Sequence, residues 1–204
     1  TADGIPVLSH EASLLKITGV DIAVVEADFQ TVQRLSAGYP GRFGDRYVAE
    51  KIMRLEEFAS LLKAWPDARA FVEIKFASIE AHGAERVVDI VLTALAGVLD
   101  QCIIISFEYA ALLRVRHVST LPVGFVLPEW SEEMRSMAVA LAPEYLFCNR
   151  SRLPPATEPL WPGSWNWVVY TVNDEFEVQQ YLSRGMDMVE TNVISRLLAV
   201  DDSC

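Results

Sequence analysis

Cysteine is scarce in this chain: of 204 residues only Cys102, Cys148 and Cys204 carry thiols, and none lies near another in sequence. An odd count without close pairs argues against a disulfide framework and points to a reducing compartment, the cytoplasm. Long apolar runs are missing as well. None approaches the roughly 20 residues that span a bilayer, and no secretory leader pattern is visible. Positive charge is in deficit, with 17 Lys and Arg against 28 Asp and Glu and a net charge of −11. Such a surface repels nucleic acid and anionic membranes at long range, so neither is an expected partner. An anionic small molecule is still admitted, because one Lys or a bound metal reverses the field inside a pocket. There is no low-complexity linker, no solenoid-length repeat, and no glycine-rich phosphate loop after any β-like run.

What is present is alternation. Ile5–Ser9 follows the Asp3-Gly4 turn and reads as the second arm of a hairpin at the N-terminus. Six further runs are short, apolar and rich in β-branched or aromatic residues: Ala70–Lys75, Cys102–Ser106, Val123–Leu127, Tyr145–Cys148, Trp167–Val172 and Met186–Thr191. Strands buried on both faces have this composition. Between them lie amphipathic stretches. Leu55, Phe58, Ala59 and Leu62 mark one helical face; Val87, Val88, Val91, Ala94, Leu95 and Val98 mark another. Shorter helices are expected over Tyr109–Arg116, Glu132–Leu141 and Glu175–Arg184, the last closed by Gly185. Strand–helix alternation implies βαβ units and a parallel sheet in one domain over residues 1–204. Six such strands fit an open doubly wound sheet or an incomplete eight-stranded barrel. Polar residues at the C-terminal ends of several strands favour the barrel, whose site is assembled from many strand ends.

Several of those polar residues are candidates for chemistry. In Phe71-Val72-Glu73-Ile74-Lys75, Glu73 and Lys75 share one face of a strand. Two opposite charges ending an apolar strand suit either a structural salt bridge or a site with Glu73 on a hard cation and Lys75 on a phosphate. His10 closes the run Ile5–Ser9; it is a loop residue or a general acid–base group. Tyr170 and Val172 share one strand face and Thr171 the other, so Tyr170 either lines a pocket or packs with a wet hydroxyl. Asn149 ends a strand and is a pocket or turn residue. Asn173-Asp174 suits a helix N-cap. His82 and His117 read as solvent-facing. Trp130, Trp161 and Trp165 read as packing in loops.

Taken in order, Thr1–Glu11 (T-A-D-G-I-P-V-L-S-H-E), Val72–Lys75 (V-E-I-K), Ile104–Glu108 (I-I-S-F-E), Tyr170–Asn173 (Y-T-V-N) and Gly185–Asn192 (G-M-D-M-V-E-T-N) resemble the glycerophosphodiester phosphodiesterase family. The resemblance covers nearly the whole chain. It implies an α/β fold, a TIM-type (β/α)8 barrel, here incomplete with strands 1 and 2 missing. It implies hydrolysis of glycerophosphodiesters to sn-glycerol 3-phosphate and an alcohol, in glycerol and lipid metabolism, with a divalent cation, Mg²⁺ or Ca²⁺. By position His10 matches the second of two catalytic histidines and Glu73 a metal-ligating Glu. Lys75 matches the phosphate-contacting base, Tyr170 an aromatic near the glycerol moiety, and Phe107 a residue near the pocket.

The pattern also has departures. The family's His-Arg-Gly motif and Glu-x-Asp metal pair have no counterpart, and both would lie upstream of Thr1. The chain opens inside Thr1–Gly4, which reads as a turn cut from something longer. His10-Glu11 replaces a His-Asp pair, and Asn192 stands where the family has Asp. Three readings follow: a fragment of an active phosphodiesterase, a non-catalytic relative that binds a phosphorylated ligand or protein partner, or an aldolase using Lys75 as a Schiff-base nucleophile. A barrel lacking two strands has open edges, through which oligomerisation is expected.

Overall fold

The computed structural model describes residues 1–198, so Cys204 lies outside the described residues. The elements run, in chain order, α1 (Leu15–Thr18), α2 (Phe29–Arg34), α3 (Pro40–Phe43), α4 (Leu55–Leu62), β1 (Ala70–Glu73), α5 (Phe76–His82), α6 (Ala84–Ala94), β2 (Cys102–Ser106), α7 (Tyr109–Val118), β3 (Val123–Val126), α8 (Glu132–Leu141), β4 (Tyr145–Asn149), β5 (Asn166–Tyr170), α9 (Glu175–Ser183), β6 (Met188–Val189) and α10 (Ile194–Leu198). Among the described residues, six strands make one sheet in the order β1-β2-β3-β4-β5-β6, every pairing parallel. Each of the six runs after Ile5–Ser9 overlaps a strand, and the sheet curls into part of a barrel.

Side-chain alternation divides the strands between two cores. Cys102, Ile104, Leu146, Cys148 and Val169 face outward, against Val87, Val88, Val91 and Leu112 of the helices. Ile103, Ile105, Val126, Phe147 and Val168 face the concave interior, with Phe71, Phe107, Tyr145 and Tyr170 around them. The interior is tight enough to demand a glycine. A Cβ at Gly124 would lie 2.8 Å from Ile105 and 2.9 Å from Phe147. The tryptophans belong to the outer layer: Trp130 stacks on Trp161 with centroids 3.9 Å apart, and Trp161 and Trp165 are buried. They pack, as expected, and are not part of the mouth.

Three expectations are corrected. The segment Ile5–Ser9 forms no hairpin. After the turn at Gly4 (φ +81°), Val7 makes a lone antiparallel bridge to Arg54, flanked by Leu8 N–H to Met53 O at 2.9 Å and Leu55 N–H to Pro6 O at 2.9 Å. Pro6 has no N–H with which to extend a ladder. Tyr170 and Val172 do not share a face, because β5 ends at Tyr170. Tyr170 points into the interior and Val172 into the outer core. His82 is not simply solvent-facing, since its Nε2 lies 3.1 Å from Thr1 O. The stretch from α1 through α3, unassigned from sequence, closes with Ile52 on a small core of its own: Leu14, Ala27, Val32 and Ile52.

Candidate functional site

The mouth of the curled sheet is formed by the C-terminal ends of its strands. On β1, Phe71 packs edge-on against Tyr145 and Phe147 inside the barrel, at 5.0 and 5.3 Å between centroids. Alternation then sends Glu73 to the same side, at the rim. Lys75 is the N-cap residue of α5, and its Nζ lies 2.7 Å from Glu73 Oε2. The rim is held in register from below: buried Ser106 donates to Ile74 O at 2.7 Å, and Ile74 N–H donates to Ile105 O at 2.9 Å.

His10 enters from the loop that follows the extended stretch. Its side chain is 83% exposed, with Nδ1 3.3 Å from Glu11 Oε1. Lys16 Nζ lies 3.1 Å from the same oxygen. The hydrogen bond from Lys16, and then His10, hold the Glu11 carboxyl below its ordinary range, so it stays ionised beside the imidazole. With Nδ1 turned to Glu11, Nε2 is the ring atom left to exchange protons.

A cavity of about 760 Å³ runs along the free edge of β1 and is lined by His10, Glu11, Phe71, Glu73 and Lys75 among others. The fold therefore brings together three of the residues picked from sequence, His10, Glu73 and Lys75, from segments more than 60 positions apart. The other three stand apart from this cavity. Tyr170 lies half-buried on the concave face, where burial pushes its phenol up to about 12, leaving it neutral near pH 7. Phe107 packs around the same interior cluster. Asn149 uses its side-chain oxygen locally, accepting from Ser151 N–H at 3.0 Å and Ser151 Oγ at 2.8 Å.

Two charged residues at the mouth escaped the sequence reading. Glu190 follows β6, and the register Val168↔Met188 and Val169↔Val189 carries it opposite Tyr170. Packing that strips its hydration raises its pKa, and the Glu73 carboxylate adds to the rise. The signal was available: Met188 and Glu190 share strand parity, as Val168 and Tyr170 do. Arg152, after β4, lies close enough to Tyr170 for its charge to oppose the effect of burial on the phenol.

The described residues do not fit a divalent cation by themselves. No group of three or more His, Cys, Asp or Glu converges among them, whereas hard cations take about six oxygens. Glu73, the carboxylate expected to ligate, is engaged by Lys75.

The model of the glycerophosphoryl diester phosphodiesterase family matches residues 1–196. No curated protein matches the chain. Among solved structures, the chain is similar to an Oleispira antarctica phosphodiesterase in complex with the product sn-glycerol-3-phosphate, with 20% identity, 100% of this chain and 82% of that one covered, and a TM-score of 0.83. It is similar also to a putative glycerophosphoryl diester phosphodiesterase from Silicibacter pomeroyi, with 20% identity, coverage of 94% and 76%, and a TM-score of 0.73. A glycerophosphodiester phosphodiesterase from Parabacteroides distasonis shows 18% identity, coverage of 100% and 80%, and the same TM-score of 0.73. At these identities the likeness concerns the fold, which agrees with a barrel short of its full strand number.

Proposed function

Because the chain belongs to the glycerophosphoryl diester phosphodiesterase family, we propose that its site takes glycerophosphodiesters and serves their hydrolysis to sn-glycerol 3-phosphate and an alcohol. The observation that carries this reading is the convergence of His10, Glu73 and Lys75 on one cavity at the strand ends. Lys75 is the phosphate anchor: its ammonium exchanges the Glu73 carboxylate for a phosphoryl oxygen when substrate enters. His10, oriented by Glu11, moves a proton at Nε2, to the departing alkoxide or from the attacking hydroxyl. Tyr170 and Phe107 offer an apolar wall with a neutral phenol to the glycerol moiety, and Asn149, whose oxygen is held by Ser151, has its amide NH2 left to offer on that side. Glu73 is the carboxylate proposed for a divalent cation, Mg²⁺ or Ca²⁺, in a ligand set larger than these residues supply. Such an ion, when bound, would stabilise charge on the phosphoryl oxygens. Among the described residues Cys102 and Cys148 are buried free thiols, which suits the cytoplasm as the proposed compartment.

His82 also lines the cavity, but its Nε2 lies 3.1 Å from Thr1 O; that leaves His10, and one imidazole does not readily activate the nucleophile and protonate the leaving alkoxide as well. This favours, as a second reading, a domain that binds the phosphorylated ligand without turnover on its own. Calorimetry with glycerol 3-phosphate, paired with release of glycerol 3-phosphate from glycerophosphocholine in Mg²⁺ or Ca²⁺, separates the two. Binding is expected, weakened about tenfold or more by Lys75→Ala, the loss of one charge-assisted contact. Turnover abolished by His10→Ala supports the hydrolase. Binding without turnover supports the second reading. No binding at all sinks both.

A further inference from the structure

Although the chain is acidic overall, residues 34–51 carry four cations (Arg34, Arg42, Arg46 and Lys51) against two acids (Asp45 and Glu50). Every residue from 40 to 51 is exposed. Within this run Phe43, Tyr47 and Val48 keep 39%, 38% and 62% of their surface in water. Nearby on α1 and just after it, Leu15 and Val20 keep 51% and 45%. Soluble chains seldom leave such apolar groups together on a projecting tip unless the tip meets something.

The tip is nonetheless ordered. Its base is clamped by Ala37 N–H to Glu50 O at 2.8 Å and Tyr39 N–H to Ile17 O at 3.0 Å. Lys51 Nζ donates to Arg34 O and Leu35 O. Gly38 is obligatory there, because a Cβ would come within 2.3 Å of Tyr47 O. Along the tip Tyr39, Phe43 and Tyr47 form an edge-to-face ladder with centroids 6.5 and 5.2 Å apart. The Arg42 guanidinium lies 5.0 Å from the Phe43 centroid and that of Arg46 5.2 Å from Tyr47. Neither arginine is among the residues paired with a carboxylate within the described part of the chain.

Aromatic rings interleaved with unpaired cations suit a surface that is apolar below and anionic above. We propose that the lobe of residues 39–48 docks on a lipid bilayer carrying anionic headgroups, with Phe43, Tyr47 and Val48 entering the interface and Arg42 and Arg46 meeting phosphates. Charge complementarity selects this occupant: the lobe inverts locally the sign that makes the rest of the chain shun such surfaces. Nucleic acid fits less well. Base stacking needs open ring faces, and the guanidiniums of Arg42 and Arg46 cover those of Phe43 and Tyr47. The lobe also adjoins the cavity. Lys16, which bonds Glu11 beside His10, is next in sequence to Ile17, whose carbonyl holds Tyr39. Docking therefore presents the mouth to molecules at the bilayer surface, while the binding step itself stands independently of the hydrolase reading.

The test is co-sedimentation of the whole chain with vesicles of phosphatidylcholine alone or mixed with phosphatidylglycerol. Retention on the mixed vesicles is expected, weakening with added salt. The pair Arg42→Glu/Arg46→Glu should lower partitioning by about thirtyfold or more, and Phe43→Ser/Val48→Ser should lower it at unchanged charge. The pair Lys63→Glu/Arg69→Glu, exposed outside the lobe, should leave it within about twofold of the parent beyond the general charge effect. Unchanged thermal unfolding of each variant shows that the fold is kept. No retention on the mixed vesicles, or retention insensitive to the lobe variants, overturns the proposal. So does retention on single-stranded RNA or an acidic peptide with none on vesicles.

Discussion

Cys148 shows how one residue's surroundings set its chemistry. It is fully buried in the outer core, and that burial pushes its thiol up to about 12. Burial raises the Cys102 thiol too. A folded-state pKa above the unfolded one means that this contribution to stability is whole below pH 9 and is lost only as pH climbs toward 12. At pH 8 the Cys148 thiolate is then only about one part in ten thousand, and the reagent has no path to it. In a Cys204→Ser variant, Ellman's reagent at pH 8 should therefore find no reactive thiol in the folded protein and both after denaturation. Rapid labelling of the native chain would refute the packing described. At the same scale Glu73 and Lys75 were legible from strand parity alone. For Glu190 parity was legible too, but its place beside Tyr170 depends on which strand lies next to β6.

At the scale of elements, the helices illustrate what caps contribute. The Asp174 carboxylate accepts Glu177 N–H at 3.0 Å at the start of α9, the role its place before an amphipathic run suggested. The helix has no fully buried residue, so capping matters more to its local order. Asp174→Ala should cost about 1 kcal/mol in global stability by urea unfolding, with faster amide exchange in α9. A change near zero would mean that α9 is held by tertiary contacts instead. Helices α4 and α6 announced themselves through apolar faces two or three turns long. Helices α1, α2 and α3 have four to six residues, too short for a period to emerge, and were missed for that reason.

The whole molecule carries a parallel sheet whose end strands, β1 and β6, each have one unpaired edge. Exposed edges beside an apolar interior invite pairing with other chains, against which a net charge of −11 works by repulsion. The geometry favours association: light scattering after size exclusion should give a mass above 22.8 kDa, increasing with added salt as repulsion is screened. A sharp monomer peak with cooperative unfolding would show that the edges are protected.

The six strands, the longer helices between them, and the rim position of Glu73 and Lys75 were determined by sequence alone, because β-rich runs, helical periodicity and strand parity are local records of burial. The match between Thr1–Asn192 and a known motif order added the expected roles. Only the tertiary structure decided that His10 meets Glu73 and Lys75 across one cavity, that Asn149 spends its oxygen on its own turn, and that Tyr170 and Val172 part company at a strand end. It alone decided that residues 39–48 stand out as a cationic aromatic lobe. These depend on sheet curl, register and loop closure, which join residues far apart in the chain and leave no period in the sequence to read.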